Sequence, residues 1–332
     1  MNIIPVTQAS IMVTPPEFDN IGAILSSLNV FYQEVAPAHI FSEQTMQNCN
    51  TLYINCASWC CEKKYSRKAK TSLRKFVEKG GTLYLSDAAG YLIHGLLPSL
   101  IEFDQNTDSG RFSCEVQNQS LRNVLGNRIN LHFETPGWLR VLKVDPSIEI
   151  LTDVSKWTYL SSDCGYAEGN SPGKEAVLPD RITLSASIKL GQGEIIYSAF
   201  HHQKQMTQAE AALEIFMLLR PILKPLMQNA RAYFRSLPGY EAGSYLTPTM
   251  PKRSFTFQST GQKEISILAN WLNMGRIALI ITDPTGRIAG RIEGATSPLY
   301  YRLPSQQAGN WTLSVESVQV FNHSIPFTVC IL

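Results

Sequence analysis

The feature that most constrains the fold of this chain is a change of pattern after its first 235 residues. Residues 1–235 alternate short apolar segments, typical of buried strands, with amphipathic segments, typical of helices. Residues 252–332 contain short apolar segments separated by turn signals. Alternating strands and helices favour a mostly parallel sheet covered by helices, whereas a run of short strands favours an antiparallel β-sandwich.

The length of the chain also favours two domains, because 332 residues exceed the usual size of one hydrophobic core. Proline and glycine accumulate at residues 236–251, as is typical of a linker. We therefore predict an α/β domain over 1–235, a linker over 236–251 and a β-sandwich over 252–332. Within the first domain, the polar and irregular residues near 98–180 are predicted to form an insertion.

Hydrophobic periodicity predicts the individual elements. The clearest helix covers residues 66–79 and ends at Gly80-Gly81, and Gly191-Gln192-Gly193 predicts the turn of a hairpin. The remaining elements of the first domain are helices near 18–28 and 209–219 and strands at 9–14, 30–35, 51–56, 82–85, 112–116, 130–133, 181–190 and 194–199. The strands of the second domain are predicted at 254–258, 264–271, 276–282, 300–303, 311–315 and 327–332.

Two adjacent histidines follow the strand at 194–199, in the run Phe200-His201-His202-Gln203. The carboxyl end of a strand in an α/β sheet is where such folds place catalytic and ligand-binding groups. Adjacent side chains of an extended segment point in opposite directions, so one of the two histidines at most faces the crevice. The alternative is a structural histidine at the end of a strand.

The order of elements over residues 9–220, together with Phe200-His201, resembles the class I glutamine amidotransferase-like superfamily. The resemblance implies a three-layer, flavodoxin-like domain with a mostly parallel sheet. It also implies a cysteine nucleophile in a Gly-x-Cys-x-Gly elbow and a histidine in a Phe-His-Pro-Glu motif.

This chain departs from that pattern at two of three catalytic positions. The elbow is Ser86-Asp87-Ala88-Ala89-Gly90, and aligning Gly90 with the last glycine of the family places Ala88 at the nucleophile. Gln203 stands where the family has a carboxylate, and a neutral amide cannot stabilise an imidazolium as a carboxylate does. Glutamine hydrolysis needs a thiolate, so we expect none.

Several side chains are nevertheless candidates for a site at the predicted crevice. His201 with Ser86 or Cys56 could form a hydrolytic pair. The alternatives are that Ser86-Asp87 caps the following helix and that Cys56 is a buried small apolar residue. The catalytic candidates are therefore His201, Ser86 and Cys56, and the ligand-binding candidates are Asp87, His202 and Gln203.

The seven cysteines are scattered, and the N-terminal residues lack the pattern of a secretory signal. We expect reduced thiols in a cytoplasmic protein. Cys56, Cys60 and Cys61 cluster, but no second ligand pair at metal spacing accompanies them, so we predict no metal and no cofactor. No 18-residue apolar segment predicts a membrane span.

Basic residues dominate the segment 63–79, although the net charge of the whole chain is only +2. Such a surface could bind phosphate or an acidic partner, but it has little aromatic interleaving to stack bases. We therefore expect a solvated helix face and argue against a nucleic-acid partner.

The C-terminal segment resembles the β-sandwich of bacterial pre-peptidase and proprotein-convertase-type C-terminal domains. The runs that carry this resemblance are Ile280-Ile281-Thr282-Asp283-Pro284-Thr285-Gly286, Gly309-Asn310-Trp311-Thr312-Leu313-Ser314-Val315 and Pro326-Phe327-Thr328-Val329. The resemblance implies a stabilising or interaction module.

Two hypotheses about function follow. In the first, the chain is a non-catalytic, amidotransferase-like binding or scaffold protein that acts with a protein partner in a larger cytoplasmic assembly. In the alternative, it is a hydrolase that uses Ser86 or Cys56 with His201.

Overall fold

The chain divides into two compact units. One comprises Gln8–Ser26 and Phe31–Leu218, and the other comprises Met1–Thr7, Ser27–Val30 and Leu219–Leu332. The predicted helix at 209–219 lies mainly outside the described residues, and Cys164 and Gln203 lie outside them altogether. The computed structural model describes residues 11–27, 30, 32–105, 107, 109–119, 121–122, 126–158, 175–202, 217–218, 221–222, 240–271, 275–304, 307–319 and 325–331.

The first unit is built on one large sheet with short helices. Its strands are β1 (Ile11–Val13), β2 (Gln33–Glu34), β3 (Thr51–Ile54), β4 (Thr82–Ser86), β5 (Ile101–Asp104), β6 (Gly110–Val116), β7 (Arg128–Phe133), β8 (Arg140–Val144), β9 (Glu149–Thr158), β10 (Glu175–Leu190) and β11 (Gly193–Ser198). Its helices are α1 (Ile21–Ser27), α2 (Glu43–Met46), α3 (Lys63–Ala69), α4 (Ser72–Glu78) and α5 (Tyr91–Leu96).

The sheet is mixed, with a parallel half and an antiparallel half. Its strands run in the order β2-β1-β3-β4-β11-β10-β9-β6-β7, and β8 joins β10 to β5. The ladders from β2 to β11 are parallel, whereas those that connect β10, β9, β8, β7, β6 and β5 are antiparallel. The α/β class is confirmed, but the mostly parallel sheet is wrong as a description of the whole. The predicted insertion is the cause, because residues 98–180 supply strands that extend the same sheet.

The predicted helix at 66–79 is two helices, α3 and α4, separated at Lys70 and Thr71. The two pack on different elements: α3 lies against α5, and α4 lies against β4 and β11. Gly95 of α5 approaches α3 so closely that an added Cβ would lie 1.9 Å from the Ser66 carbonyl oxygen. Periodicity in sequence detects the shared apolar stripe but not this change of packing partner.

The β10–β11 hairpin forms as its glycine turn predicts, with Gly191 in the left-handed region at φ +59°. Gly193 meets the end of α4, where an added Cβ would lie 1.9 Å from the Val77 carbonyl oxygen and 2.4 Å from that of Gly81. Glycine is therefore required at residue 193 because main chain approaches main chain.

The second unit contains two four-stranded antiparallel sheets, ordered β12-β19-β14-β17 and β13-β18-β15-β16. Side chains of both sheets, such as Trp271, Ile281, Leu313 and Phe327, form one buried core, which is the arrangement of a β-sandwich. The strands are β12 (Tyr240–Leu246), β13 (Lys252–Thr260), β14 (Glu264–Trp271), β15 (Ile277–Thr282), β16 (Ile288–Gly294), β17 (Leu299–Pro304), β18 (Ala308–Ser317) and β19 (Ile325–Ile331).

All six strands predicted for this unit form, and two further strands do so without having been predicted. β12 occupies part of the segment 236–251 that the sequence predicts as a linker. β16 is exposed or half-buried along its whole length and therefore shows no strict apolar alternation. Within the part of the chain that the structure describes, no helix has the length and apolar character needed to cross a bilayer.

Candidate functional site

Three neighbouring parallel strands bring the site together. β3 pairs with β4, and β4 pairs with β11, all in parallel register. Their carboxyl ends therefore share one edge of the sheet, which is the position of ligand sites in open α/β folds. Cys56 follows β3, Asp87 follows β4 directly, and His201 follows β11.

The side chains of these three residues converge, and we call them the Cys56–Asp87–His201 cluster. Their sulfur, oxygen and nitrogen atoms all lie within 4.8 Å of one another. The Cys56 thiol donates a hydrogen bond to Asp87 Oδ2 over 3.5 Å, and His201 Nε2 lies 3.3 Å from the same oxygen. Cys56 and Asp87 are buried, and the His201 side chain is only 10% exposed. Two catalytic candidates and one ligand-binding candidate thus meet at one point.

Asp87 occupies the elbow between β4 and the following 3₁₀ turn. Its φ of +41° makes it the one non-glycine residue with positive φ among those that the structure describes. Such a conformation is strained and is typical of functional positions on strand-to-helix turns. The strained residue of this turn is therefore Asp87 and not Ala88, the position that the alignment with the family singled out.

The strained turn is held by contacts with the loop before β8. The Leu139 backbone N–H donates to Asp87 Oδ1 over 2.7 Å. The Leu139 carbonyl in turn accepts a hydrogen bond from the Tyr197 hydroxyl over 2.7 Å. One carboxylate oxygen of Asp87 thus contacts the main chain, and the other contacts Cys56 and His201.

Glu134 orients the imidazole of His201 from the opposite side of the ring. Its Oε1 lies 2.8 Å from His201 Nδ1. Glu134 directly follows β7, within the predicted insertion, and is not among the site residues that the sequence predicts. A polar residue immediately after a predicted strand was the available signal. A carboxylate from a distant part of the chain therefore contacts the His201 ring.

Burial and neighbouring charges set the protonation of the cluster. Burial raises the pKa of the Cys56 thiol; the hydrogen bond to His201 lowers that pKa, the Asp87 carboxylate raises it, and the net result is a pKa of about 12. Burial lowers the pKa of His201, but hydrogen bonds to Asp87 and Cys56 outweigh it and raise that pKa to about 11. Burial therefore favours the protonated form of the thiol, and the Asp87 carboxylate favours the protonated form of the imidazole.

Ser86 is directed away from this arrangement. Its side chain is fully buried, and its hydroxyl donates to Asp19 Oδ2 over 2.6 Å. Ser86 precedes the 3₁₀ turn without forming a side-chain capping hydrogen bond, so the capping hypothesis is wrong for it. Asp19, which lies after β1 and was not predicted, also accepts a hydrogen bond from the His202 backbone N–H over 3.1 Å.

His202 lies in a buried polar network rather than on the crevice surface. Its Nε2 lies 2.6 Å from the Tyr84 hydroxyl and 3.1 Å from Ser198 Oγ. Burial lowers the pKa of His202 to about 4, so the ring is neutral at physiological pH. These contacts favour a structural role for His202, and the ligand-binding candidate Gln203 lies outside the described residues.

None of the six described cysteines is part of a disulfide, in line with the expected reduced thiols. Of the three that cluster in sequence, only Cys56 belongs to the cluster in space. Cys60 is buried and lies 3.7 Å from the Asn55 carbonyl oxygen, whereas Cys61 is exposed.

The basic surface of α3 and α4 is partly neutralised by acidic neighbours. Lys64 lies 2.7 Å from Glu62, Arg74 lies 2.8 Å from Glu78, and Lys75 lies 2.7 Å from Glu43. These ion pairs are exposed and fit a solvated helix face.

No protein-family model and no curated protein sequence matches this chain. Similar solved structures include a ThuA-like protein from Bacteroides uniformis, with 11% identity over 67% of this chain and 94% of that chain and a TM-score of 0.47. A glutamine amidotransferase from Thermotoga maritima shares 7% identity over 70% of this chain and 87% of its own, with a TM-score of 0.37. The pre-peptidase C-terminal domain of a Bacillus anthracis collagenase shares 11% identity over 28% of this chain and 89% of its own, with a TM-score of 0.26. Amidotransferase-like proteins and a pre-peptidase domain are thus among the structural neighbours of this chain, at low sequence identity.

Proposed function

We propose that the first unit is a non-catalytic, amidotransferase-like binding module whose ligand site is the Cys56–Asp87–His201 cluster. The observation that carries this proposal is the identity of the elbow residue. Asp87 occupies the strained turn where the resemblance implies a thiol, and its carboxylate lies against both the Cys56 thiol and the His201 ring. His201 therefore faces a carboxylate at the point where glutamine hydrolysis would need a thiolate.

A binding role, rather than a purely structural one, is favoured by the position and the strain of the cluster. Strained backbone at a non-glycine residue persists only where surrounding contacts hold it, and it is concentrated at functional sites. The cluster also lies at the carboxyl edge of the parallel strands, where open α/β sheets bind their ligands.

Hydrolysis assays test this proposal. We expect ammonia release from glutamine, and hydrolysis of p-nitrophenyl acetate, to stay at the buffer background for the wild-type chain, with a chelator or with added Zn²⁺. His201→Ala should give the same result. Wild-type turnover that His201→Ala abolishes would contradict a non-catalytic role.

A second candidate is a hydrolase with Cys56 as nucleophile and His201 as base. The contact between Glu134 and His201 favours it, because a nucleophile, a base and a group that orients the base are the parts of such a site. Ser86 fits this role less well, since its hydroxyl is bonded to Asp19. If turnover is found, Cys56→Ala should abolish it and the exposed-thiol control Cys61→Ala should retain it.

For the second unit we propose an interaction role with a protein partner, within a larger assembly. Edge strand β16 supports this proposal, because it carries Ile288 at 68% exposure and exposed sheet edges can pair with a partner strand. The tagged full chain, recovered from its source, should co-elute with a stoichiometric partner in size-exclusion chromatography. Elution as a lone chain over a wide concentration range would contradict this role.

A further inference from the structure

The Cys56–Asp87–His201 cluster has the donor atoms of a metal centre. In the part of the chain that the structure describes, it is the one group of three such residues whose donor atoms all lie within 4.8 Å of one another. A thiolate, a carboxylate and an imidazole are the three kinds of side chain that bind zinc in proteins.

The distances within the cluster fit one shared ion. A tetrahedral zinc ion, with bonds of about 2.0 to 2.3 Å, holds its ligand atoms about 3.3 to 3.8 Å apart. Asp87 Oδ2 lies 3.3 Å from His201 Nε2 and 3.5 Å from Cys56 Sγ. Both distances fall within that range, and the third pair of donor atoms, those of Cys56 and His201, lies within 4.8 Å. The three side chains are thus placed so that they could share one ion.

Two of the three side chains are oriented by groups outside the cluster. Glu134 accepts from His201 Nδ1 over 2.8 Å and thereby presents Nε2 to the other two residues. A carboxylate behind a metal-bound histidine is a common arrangement in zinc sites. Leu139 N–H holds Asp87 Oδ1, which leaves Oδ2 directed at the cluster.

The charges around the cluster also favour a divalent cation. Two carboxylates, Asp87 and Glu134, flank one imidazole, and a metal-bound Cys56 would add a third negative charge. The donor set selects the kind of ion, because calcium takes six to eight oxygen ligands and magnesium also prefers oxygen. A sulfur and a nitrogen donor favour zinc and related transition metals.

We propose, building on the binding role above, that Cys56, Asp87 and His201 bind a divalent transition-metal ion, with Zn²⁺ as the first candidate. Glu134 is a positioning residue for the His201 ring. Three protein ligands leave the fourth position of a tetrahedral ion for an atom of an exogenous ligand.

The test uses the full chain, stripped with a chelator and dialysed, and then titrated with Zn²⁺ by calorimetry and with Co²⁺ by absorption spectroscopy. We expect one ion per chain and a thiolate-to-cobalt charge-transfer band in the near ultraviolet. Cys56→Ser should abolish that band, and both Cys56→Ser and Asp87→Asn should weaken Zn²⁺ binding by at least the about 10- to 100-fold that is typical for loss of a group behind a metal ligand. No binding by the wild-type chain, or unchanged binding by Cys56→Ser, would overturn the proposal.

Matched controls separate the site from adventitious binding. Cys61→Ser removes an exposed thiol close in sequence, and His94→Ala removes an exposed imidazole. Both should retain the cobalt band and the Zn²⁺ affinity, and loss of either in a control variant would argue against the assignment. If a cluster variant fails to fold, the wild-type cobalt spectrum decides alone, because absence of a thiolate band overturns the proposal.

The outcomes for the metal and for the proposed function can be told apart. If the chain does not bind Zn²⁺ and hydrolysis stays at background, the metal site is refuted and the non-catalytic role stands. If the wild-type chain shows turnover and His201→Ala abolishes it, the non-catalytic role is refuted, whatever the metal titration shows.

Discussion

Glu134 and His201 are in direct contact, with 2.8 Å between Oε1 and Nδ1, although 67 positions separate them in the chain. Glu134 follows β7, at the antiparallel end of the sheet order, whereas His201 follows β11, which pairs with the parallel strand β4. The contact therefore joins a residue of the antiparallel half of the sheet to the edge where the parallel strands end.

Removing Glu134 should weaken metal binding, because it removes the group that orients the His201 ring. We expect Glu134→Ala to lower Zn²⁺ affinity about 10- to 100-fold, and Glu134→Gln to lower it less, because the amide oxygen can still accept from Nδ1. Competition with a chromophoric chelator measures both. The control Glu102→Gln changes an exposed carboxylate on β5 and should bind as the wild type does. A merely structural Glu134 would leave all four affinities equal.

Asp19 should stabilise the fold around the elbow, because it is fully buried and accepts from both the Ser86 hydroxyl and the His202 backbone N–H. Asp19→Ala leaves both donors buried without this acceptor, and each should cost about 1 to 3 kcal/mol of unfolding free energy. Ser86→Ala removes only one donor and should cost less. Urea unfolding followed by circular dichroism compares them, and equal losses would show that the carboxylate does not hold both groups.

Two isoleucines on neighbouring strands of the second unit form a matched pair, one inside the core and one outside it. Ile281 of β15 is fully buried, whereas Ile288 of β16 is 68% exposed. Ile281→Ala should lower the unfolding free energy by about 2 to 5 kcal/mol, since it removes buried methyl groups and leaves a cavity. Ile288→Ala should change it by less than about 0.5 kcal/mol. Similar effects of the two substitutions in urea unfolding would contradict the packing described above.

Gly193 should tolerate no side chain, because main-chain oxygens of Val77 and Gly81 occupy the position of a Cβ. We expect Gly193→Ala to destabilise the chain by at least about 1 to 3 kcal/mol, as for overpacking in a core. Gln192→Ala, in the same turn and exposed, is the control and should be close to neutral. A melting temperature of Gly193→Ala equal to that of the control would show that α4 can move away from the hairpin.

The strands and turns of this chain could largely be predicted, because their signals are local. The apolar runs that form β4 and β11 can be recognised without knowledge of their neighbours in space. The conformational preference of glycine alone predicts the hairpin at Gly191 to Gly193. Helices α3 and α4 were predicted as one, since periodicity does not show that the two pack on different neighbours. The mixed sheet was missed because strand pairing joins residues far apart in sequence, and residues 98–180 carry weak periodicity.

The three members of the Cys56–Asp87–His201 cluster were likewise predictable. Asp87, His201 and Cys56 lie within three residues of the ends of β4, β11 and β3, so parallel pairing alone predicts that all three share an edge. The sequence around Glu134 and Asp19 does not show whether these carboxylates are exposed or buried. It also does not show that the Ser86 side chain contacts Asp19 whereas the Asp87 side chain contacts Cys56 and His201.

The sequence by itself determined the division into an α/β segment and an all-β segment, and it placed a histidine, a carboxylate and a thiol after the ends of strands, because periodicity and turn chemistry are local properties. Only the tertiary structure decided that Asp87 is the strained elbow residue, that its Oδ2 lies against Cys56 and His201, and that Glu134 supplies the carboxylate behind the imidazole. The physical reason is that hydrogen bonds and ion pairs depend on separations of about 3 Å in space, which the packing of distant strands produces and the spacing of residues along a chain does not.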